Sequence, residues 1–273
     1  MLIPIGQLQQ SLFNSLSEIS DDEWNTIGSL ATEWVAEHNK ASHSIPSPST
    51  VEDCILKQWF HAKDRMPDFD TDPAWKMRQV SGILSELVWV AVLKKAGFRI
   101  EQPESLLIGE GFSGRPDAIA TYDGSELFVI EIKERTGFVY KKYLEKYSSV
   151  SGIEPDVYTQ MQSYMEATNT NWGLLVVSPA DFSLLQKTMK QNKRWGVEYE
   201  LPPFYLEWVE KNPNHIRYIM DRVERIKSAV QSDIPPDREY DGIPVGLDGK
   251  KKWPCGYCEF NKSCVDMFGY GNR

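Results

Sequence analysis

Residues 114–133 read GRPDAIATYDGSELFVIEIK, and the fold turns on how they pair. Two short apolar runs, Ala118–Tyr122 and Leu127–Ile132, flank Asp123-Gly124. An Asp-Gly pair between β-prone runs predicts a hairpin, because glycine takes the positive φ that a tight turn needs. Asp117 opens the first strand; Glu131 and Lys133 close the second. Strand alternation puts Leu127, Val129, Glu131 and Lys133 on one face, and Phe128, Ile130 and Ile132 on the other. Both faces begin apolar, so the second strand is expected to be covered on both sides. Three charged groups then converge at one end of a buried hairpin. Buried charge is costly unless it is paired or meets a metal. For the hairpin alone two readings stay open, a salt bridge between Lys133 and a carboxylate or an acid cluster that holds a cation.

At 273 residues, 41% hydrophobic and 25% charged, the chain suits one elaborate domain or two small ones. No apolar run approaches a membrane span, so no membrane partner is expected. The N-terminal stretch has no lysine or arginine before Lys40; a signal peptide is not expected, and a cytoplasmic location is the default. The net charge of -9 is not that of a general nucleic-acid binder. The acid is uneven, however: residues 1–39 carry six acidic residues and no lysine or arginine. Basic clusters stand at Lys141-Lys142 with Lys146, at 187–194 and at 250–252, and each reads as a solvated face ahead of a phosphate track.

Residues 21–39 predict an amphipathic helix with Trp24, Ile27, Ala31, Trp34 and Val35 at helical spacing. A core-packing role is preferred over an acidic arm that binds a protein partner. A Ser/Pro-rich linker over 40–50 leads to a helix expected from Val51 to Lys63, with Ser49/Glu52 or Thr50/Asp53 spaced as a capping box. Cys54 falls in its first turn, and His61, on roughly the same face, reads as a packing or surface histidine. The next helix is expected over 75–97, started afresh near Gly82. Within it SGILSELVWVAVL holds one charged residue, Glu86. A helix apolar all round is buried, and a lone carboxylate there needs a partner or a metal. After the hairpin, ERTGFVYKKYLEKYSSVSG interleaves bases and aromatics. That suits a single-stranded nucleic-acid path, and equally a core or rim role for Tyr140, Tyr143 and Tyr147. A helix over 154–168 sets Gln160 and Tyr164 on one face. Trp172–Ser178 predicts a buried strand, parallel to a hairpin strand across that helix. A helix over 181–191, a short strand at 197–199 and a long helix over 214–232 complete the pattern, and a loop over 242–252 delivers three cysteines.

Glu86, Asp117 and Glu131 are oxygen donors suited to magnesium or manganese, and the Ile132 carbonyl could supply another. A bound metal lowers the pKa of its water and offsets charge building on a phosphate. Lys133, beside the acids, can place that water or meet the developing charge. Together these groups form a kit for phosphodiester hydrolysis. Cys255, Cys258 and Cys264 form C-x2-C-x5-C, and Cys54 lies far upstream. Four thiolates suit zinc or an iron–sulfur cluster, and either would staple the two ends of the chain together.

These residues resemble the RecB-like branch of the PD-(D/E)xK nucleases, specifically its iron–sulfur members: AddB-type nuclease domains, CRISPR-associated adaptation nucleases and related phage exonucleases. Pro116-Asp117 and Glu131-Ile132-Lys133 match PD…ExK, Gly82-x3-Glu86 matches the motif before it, and Gln160-x3-Tyr164 matches the Q-x3-Y motif after it. Cys54 with C-x2-C-x5-C matches the cluster ligands, and the likeness spans Ser47–Cys264. Many relatives place His where Glu86 stands; a carboxylate still suits a hard ion and leaves open which metal is preferred.

The resemblance implies an α/β fold, a central mixed sheet flanked by helices, with N- and C-terminal segments joined by a cysteine-ligated cluster. Residues 1–46 would form an acidic helical segment and linker, and 47–273 the nuclease domain. The expected activity is a metal-dependent DNA nuclease, an exonuclease on single strands or DNA ends, in recombination, repair or phage- or CRISPR-related DNA processing. Glu86, Asp117, Glu131 and Ile132 would hold Mg2+ or Mn2+. Lys133 would assist the water, and Gln160 and Tyr164 would orient substrate or catalytic groups. Cys54, Cys255, Cys258 and Cys264 would hold a structural [4Fe-4S] cluster in preference to zinc, and losing one is expected to detach the N-terminal segment from the tail. The alternatives are a catalytically silent DNA-end-binding module and a zinc-stapled interaction protein.

Overall fold

The computed structural model describes residues 2–27, 29, 46–68, 73–101, 106–109, 112–145, 148–180, 204–240, 242, 243, 245 and 254–269. Ahead of the first strand lie helices α1 (Ile5–Ser17), α2 (Ile55–Ala62) and α3 (Pro73–Lys95). Strands β1 (Phe98–Glu101), β2 (Leu106–Gly109), β3 (Phe112–Gly114), β4 (Ala118–Tyr122) and β5 (Phe128–Arg135) follow. Then come helices α4 (Gly137–Tyr143), α5 (Val150–Ile153) and α6 (Pro155–Ala167), strands β6 (Trp172–Pro179) and β7 (Tyr205–Glu210), helix α7 (Pro213–Gln231), a 3-10 turn at Cys255–Tyr257 and helix α8 (Asn261–Phe268).

The central sheet has the order β1-β4-β5-β6-β7, and β2 and β3 form a separate pair. The Asp-Gly turn forms as expected. Asp123 and Gly124 take φ of 46 and 71, and the Ser125 N–H donates to the Tyr122 carbonyl at 2.8 Å. Strands β4 and β5 pair antiparallel with Ala118 opposite Ile130. Strand β6 lies parallel to β5, Glu131 opposite Leu175, with α4, α5 and α6 in the crossover. Strand β5 therefore has neighbours on both sides, and residues 128–132 are buried.

The alternation of β5 sorts the core. Phe128, Ile130 and Ile132 pack with Leu8 and Leu12 of α1 and Trp89, Val92 and Leu93 of α3. Val129 faces the other way, packed with Met161, Tyr164 and Met165 of α6 and Tyr140 and Tyr143 of α4. Glu131 and Lys133 share the face of Val129, so the acid–lysine pair is turned toward α6.

Three details differ from the sequence expectations, and one reading left open is decided. Helix α1 was not anticipated, although Ile5, Leu8, Leu12 and Leu16 recur at helical spacing. Helix α3 runs unbroken through Gly82, since one glycine costs about 1 kcal/mol and burial of Leu87, Trp89 and Leu93 outweighs it. Helix α2 starts at Ile55, with Cys54 as its N-cap and no side-chain cap bond from that residue. Its first amide, Ile55 N–H, donates to Glu239 Oε2 at 2.9 Å instead of using a local box. Tyr140 and Tyr143 are core residues.

Of the acidic helix, residues 21–27 and 29 are described as helical, and Ile27 packs on Leu87 of α3. Its remainder, Lys146 and Tyr147, the helix at 181–191, the strand at 197–199 and the basic runs at 187–194 and 250–252 lie outside the described residues. No helix among the described residues is long and apolar enough to cross a membrane.

Candidate active site

The hairpin register builds the site. Extending the pairing of Ala118 with Ile130 by one residue sets Asp117 opposite Glu131. The Ile132 N–H donates to Asp117 Oδ2 at 2.6 Å, fixing that carboxylate across the strand gap. Two residues on, the Lys133 ammonium donates to Glu131 Oε1 and, at 3.2 Å, to Gln160 Oε1. Gln160 Nε2 in turn donates to the Tyr164 hydroxyl at 3.3 Å. Helical spacing on α6 thus carries a polar chain from Lys133 through Gln160 to Tyr164. The salt bridge between Lys133 and a carboxylate is present, but it uses only one oxygen of Glu131. Glu131 Oε2 is buried with no hydrogen-bond partner among the described residues.

Glu86 arrives from the half-buried face of α3. Burial, together with the Asp117 charge, raises its pKa to about 8, and Arg115 pulls it back in part. Burial and the Asp117 charge raise Glu131 to about 7, against the pull of Lys133. Asp117 is raised as well, chiefly by burial, with Lys133, the Ile132 amide and Arg115 opposing. Burial works against the Lys133 ammonium, but Glu131 and Asp117 outweigh it and hold its pKa above that of an ordinary lysine. Three carboxylates thus repel one another around two cations. Asp117, Glu131, Lys133, Gln160 and Tyr164 form one bonded group with the Ile132 amide, and Glu86 joins it through its field.

A glycine shapes the approach. A Cβ on Gly114 would meet Pro48 Cδ at 2.6 Å and Tyr164 Cε1 at 3.1 Å. Only glycine lets the chain enter Asp117 beneath that wall.

The four cysteines, in no disulfide, line one cavity of about 100 Å³ together with Lys57, Phe60, Arg238 and Tyr240. Burial pushes the Cys258 thiol up to about 11 and raises Cys264 as well. Neither these thiols nor the carboxylates are drawn into a finished cage: among the described residues no group of three or more His, Cys, Asp or Glu is arranged to hold a metal ion. The expected cysteine-ligated cluster is therefore not shown.

Three features escaped the sequence. Arg115 stands among the acids, signalled only by its place beside Asp117. Arg222 donates to both oxygens of Glu239, at 2.8 and 3.0 Å, and to the Asp53 carbonyl at 2.8 Å, gripping the segment before Cys54. The Thr159 hydroxyl, next to Gln160, donates to Glu52 Oε1 at 2.8 Å and contacts His215 Nε2 at 2.7 Å. A hydroxyl has one proton to give, so His215 is the donor in the second bond. No local pattern marks partners this remote.

The pattern of the PD-(D/E)XK nuclease superfamily matches residues 12–265. No curated protein matches the chain. Among solved structures it is similar to an alkaline exonuclease (LHK-Exo) from Laribacter hongkongensis, with 14% identity and a TM-score of 0.47 over 68% of this chain and 87% of that one. LHK-Exo in complex with dAMP gives 14% identity and a TM-score of 0.45 over 81% and 86%. SSO0001 gives 17% identity and a TM-score of 0.46 over 87% and 94%. None of these likenesses assigns this chain an activity.

Proposed function

The chain belongs to the PD-(D/E)XK nuclease superfamily, and from that premise we propose that it is a metal-dependent deoxyribonuclease, an exonuclease acting on single strands or DNA ends. The observation that carries this reading is Glu131 Oε2, a buried carboxylate oxygen with no hydrogen-bond partner among the described residues, held in the field of Asp117, Glu86 and Lys133. An uncompensated buried oxygen is costly, and a divalent cation is the group that would relieve it. The donor set, three carboxylates and the Ile132 carbonyl, fits a hard ion such as Mg2+ or Mn2+.

A bound divalent ion would supply Lewis acidity and an activated water. The chain's own residues do the rest. Lys133, already fixed by Glu131 and Gln160, presents its ammonium where charge builds on the scissile phosphate. Gln160, braced by Tyr164, holds Lys133 in register. Asp117, pinned by the Ile132 amide, keeps its second oxygen for the ion. The test is digestion of 5′- and 3′-end-labelled single-stranded and duplex DNA with Mg2+ or Mn2+. Wild type should shorten the strands from an end and Lys133→Ala should not; equal digestion by both, or none by wild type, would sink the reading.

We further propose that Cys54, Cys255, Cys258 and Cys264 hold a [4Fe-4S] cluster. Its support is the donor set, four thiols lining one cavity, with Lys57 and Arg238 beside them to offset anionic sulfur. The protein purified without oxygen should then be brown, with iron and acid-labile sulfide in equal amounts. A colourless protein with one zinc would favour the zinc staple. Residues 47–273 carry both proposed centres.

A further inference from the structure

Helix α4 leaves β5 one residue after Arg135, at the same strand end as Lys133. Its inner positions, Tyr140 and Tyr143, are buried in the cluster that contains Tyr164. Its outer positions are of a different kind. Phe138 is 75% exposed. Lys142, four residues on and also exposed, lays its ammonium 5.2 Å from the centre of that ring. Lys141 is exposed beside it. The basic and aromatic residues of this segment are thus divided by the helix: the tyrosines hold the core, and one phenylalanine with two lysines faces outward on the helix that follows the strand end carrying Lys133.

We propose that Phe138 and Lys142 form a binding step for a single DNA strand at the mouth of the site, a subsite of the nuclease reading above and resting on it. The Phe138 ring stacks on one unpaired nucleobase, and Lys142 meets the adjoining phosphate. The chemistry selects this occupant. A flat ring suits any base on its open face, and a lysine over that ring suits a chain that repeats an anion beside each base. The acidic centre itself repels phosphate, so a strand needs cationic and stacking contacts at its rim.

Fluorescence anisotropy tests the step on full-length Lys133→Ala protein in Mg2+. The probes are a fluorescein-labelled single-stranded oligonucleotide and the same backbone with abasic sites throughout. Phe138→Ala should weaken binding of the normal strand about tenfold and leave the abasic strand unchanged, and Phe138→Trp should restore binding. Lys142→Ala should weaken both strands and lower the slope of log affinity against log salt by about one. Normal-strand binding unaffected by Phe138→Ala, or an equal loss on both strands, would overturn the step even if wild type cuts DNA. If the Lys133→Ala protein binds neither strand and wild type cuts none, the nuclease reading falls and the step with it.

Discussion

The Thr159 hydroxyl donates to Glu52 Oε1 at 2.8 Å, tying helix α6 to the segment that ends in Cys54. Tyr218 donates to the other oxygen of Glu52 at 3.1 Å, and Pro48, on the same segment, backs Gly114 and Tyr164. The stretch from Pro48 to Cys54 thus runs between the two proposed centres. Thr159→Val keeps the shape but takes the hydrogen bond from one oxygen of Glu52 and from the His215 imidazole. A hydrogen bond to a charged group contributes about 1.5–3 kcal/mol, which for a chain of this size lowers Tm by roughly 3–6 °C. Differential scanning calorimetry measures it. Because Gln160 is the next residue, nuclease activity should fall further than at a surface site.

Lys133→Ala removes the one ammonium bonded to Glu131. Losing a positioned donor to developing charge costs about 10²–10³ in kcat. The variant also leaves Glu131 buried and unpaired, so its carboxyl takes up a proton at higher pH than in wild type. Single-turnover cleavage reads the first effect, and metal affinity against pH reads the second.

Glu131 and Glu86 have pKa values raised to about 7 and about 8, above the 4.5 of an ordinary glutamate. Between these values the folded protein keeps protons that the unfolded chain has released. Metal-free protein should therefore be more stable near about pH 5 and lose stability as pH rises toward about 8. Divalent ion binds the ionised acids, so it should release protons and reverse the trend. Melting curves in chelator and in Mg2+ at the two ends of that window check the sign, and Glu131→Gln should flatten the metal-free profile.

Arg222→Ala breaks a pair whose arginine is buried and whose glutamate is partly exposed, leaving Glu239 to the α2 amide and to Arg225 at 4.0 Å. Losing hydrogen bonds to a charged group there costs about 1.5–3 kcal/mol. Chemical denaturation should register that loss, with the region around Cys54 the first to gain hydrogen exchange.

Cys258→Ser should abolish the brown colour and the bound iron. The tail is nonetheless held to α2 and the residues after it by protein contacts. His61 pairs with Glu259 at 2.9 Å, the Ser263 N–H donates to Asp68 Oδ2 at 3.0 Å, and Phe260 packs on Phe60. These contacts revise the expectation of detachment: the variant should melt earlier yet resist release of its C-terminal fragment by limited proteolysis.

Local physics made the centre readable. An Asp-Gly turn, a period of two in β5, one acid in an apolar helix and a four-residue spacing on α6 each place a side chain without knowledge of distant partners. The long-range features were not readable for the same reason. Glu239 caps a helix that begins 184 residues earlier in the chain. Thr159 looks like any helical threonine until Glu52 and His215 reach it. The phase of α4, which buries Tyr140 and exposes Phe138, depends on what the sheet presents to it. Interleaved aromatics alone could not say which one faces water.

Helix α1 has a consequence for the order of assembly. Leu8 and Leu12 fill the sheet core, and Trp208 of β7 donates its indole N–H to the Ile3 carbonyl at 3.0 Å, 205 residues away. Helix α1 can therefore rest on α3 and β5 before the sheet is complete, but its seat is closed only when β7 has been added to β6. Contacts of such long sequence separation form late, so the final fixing of α1 reports completion of the far edge of the sheet.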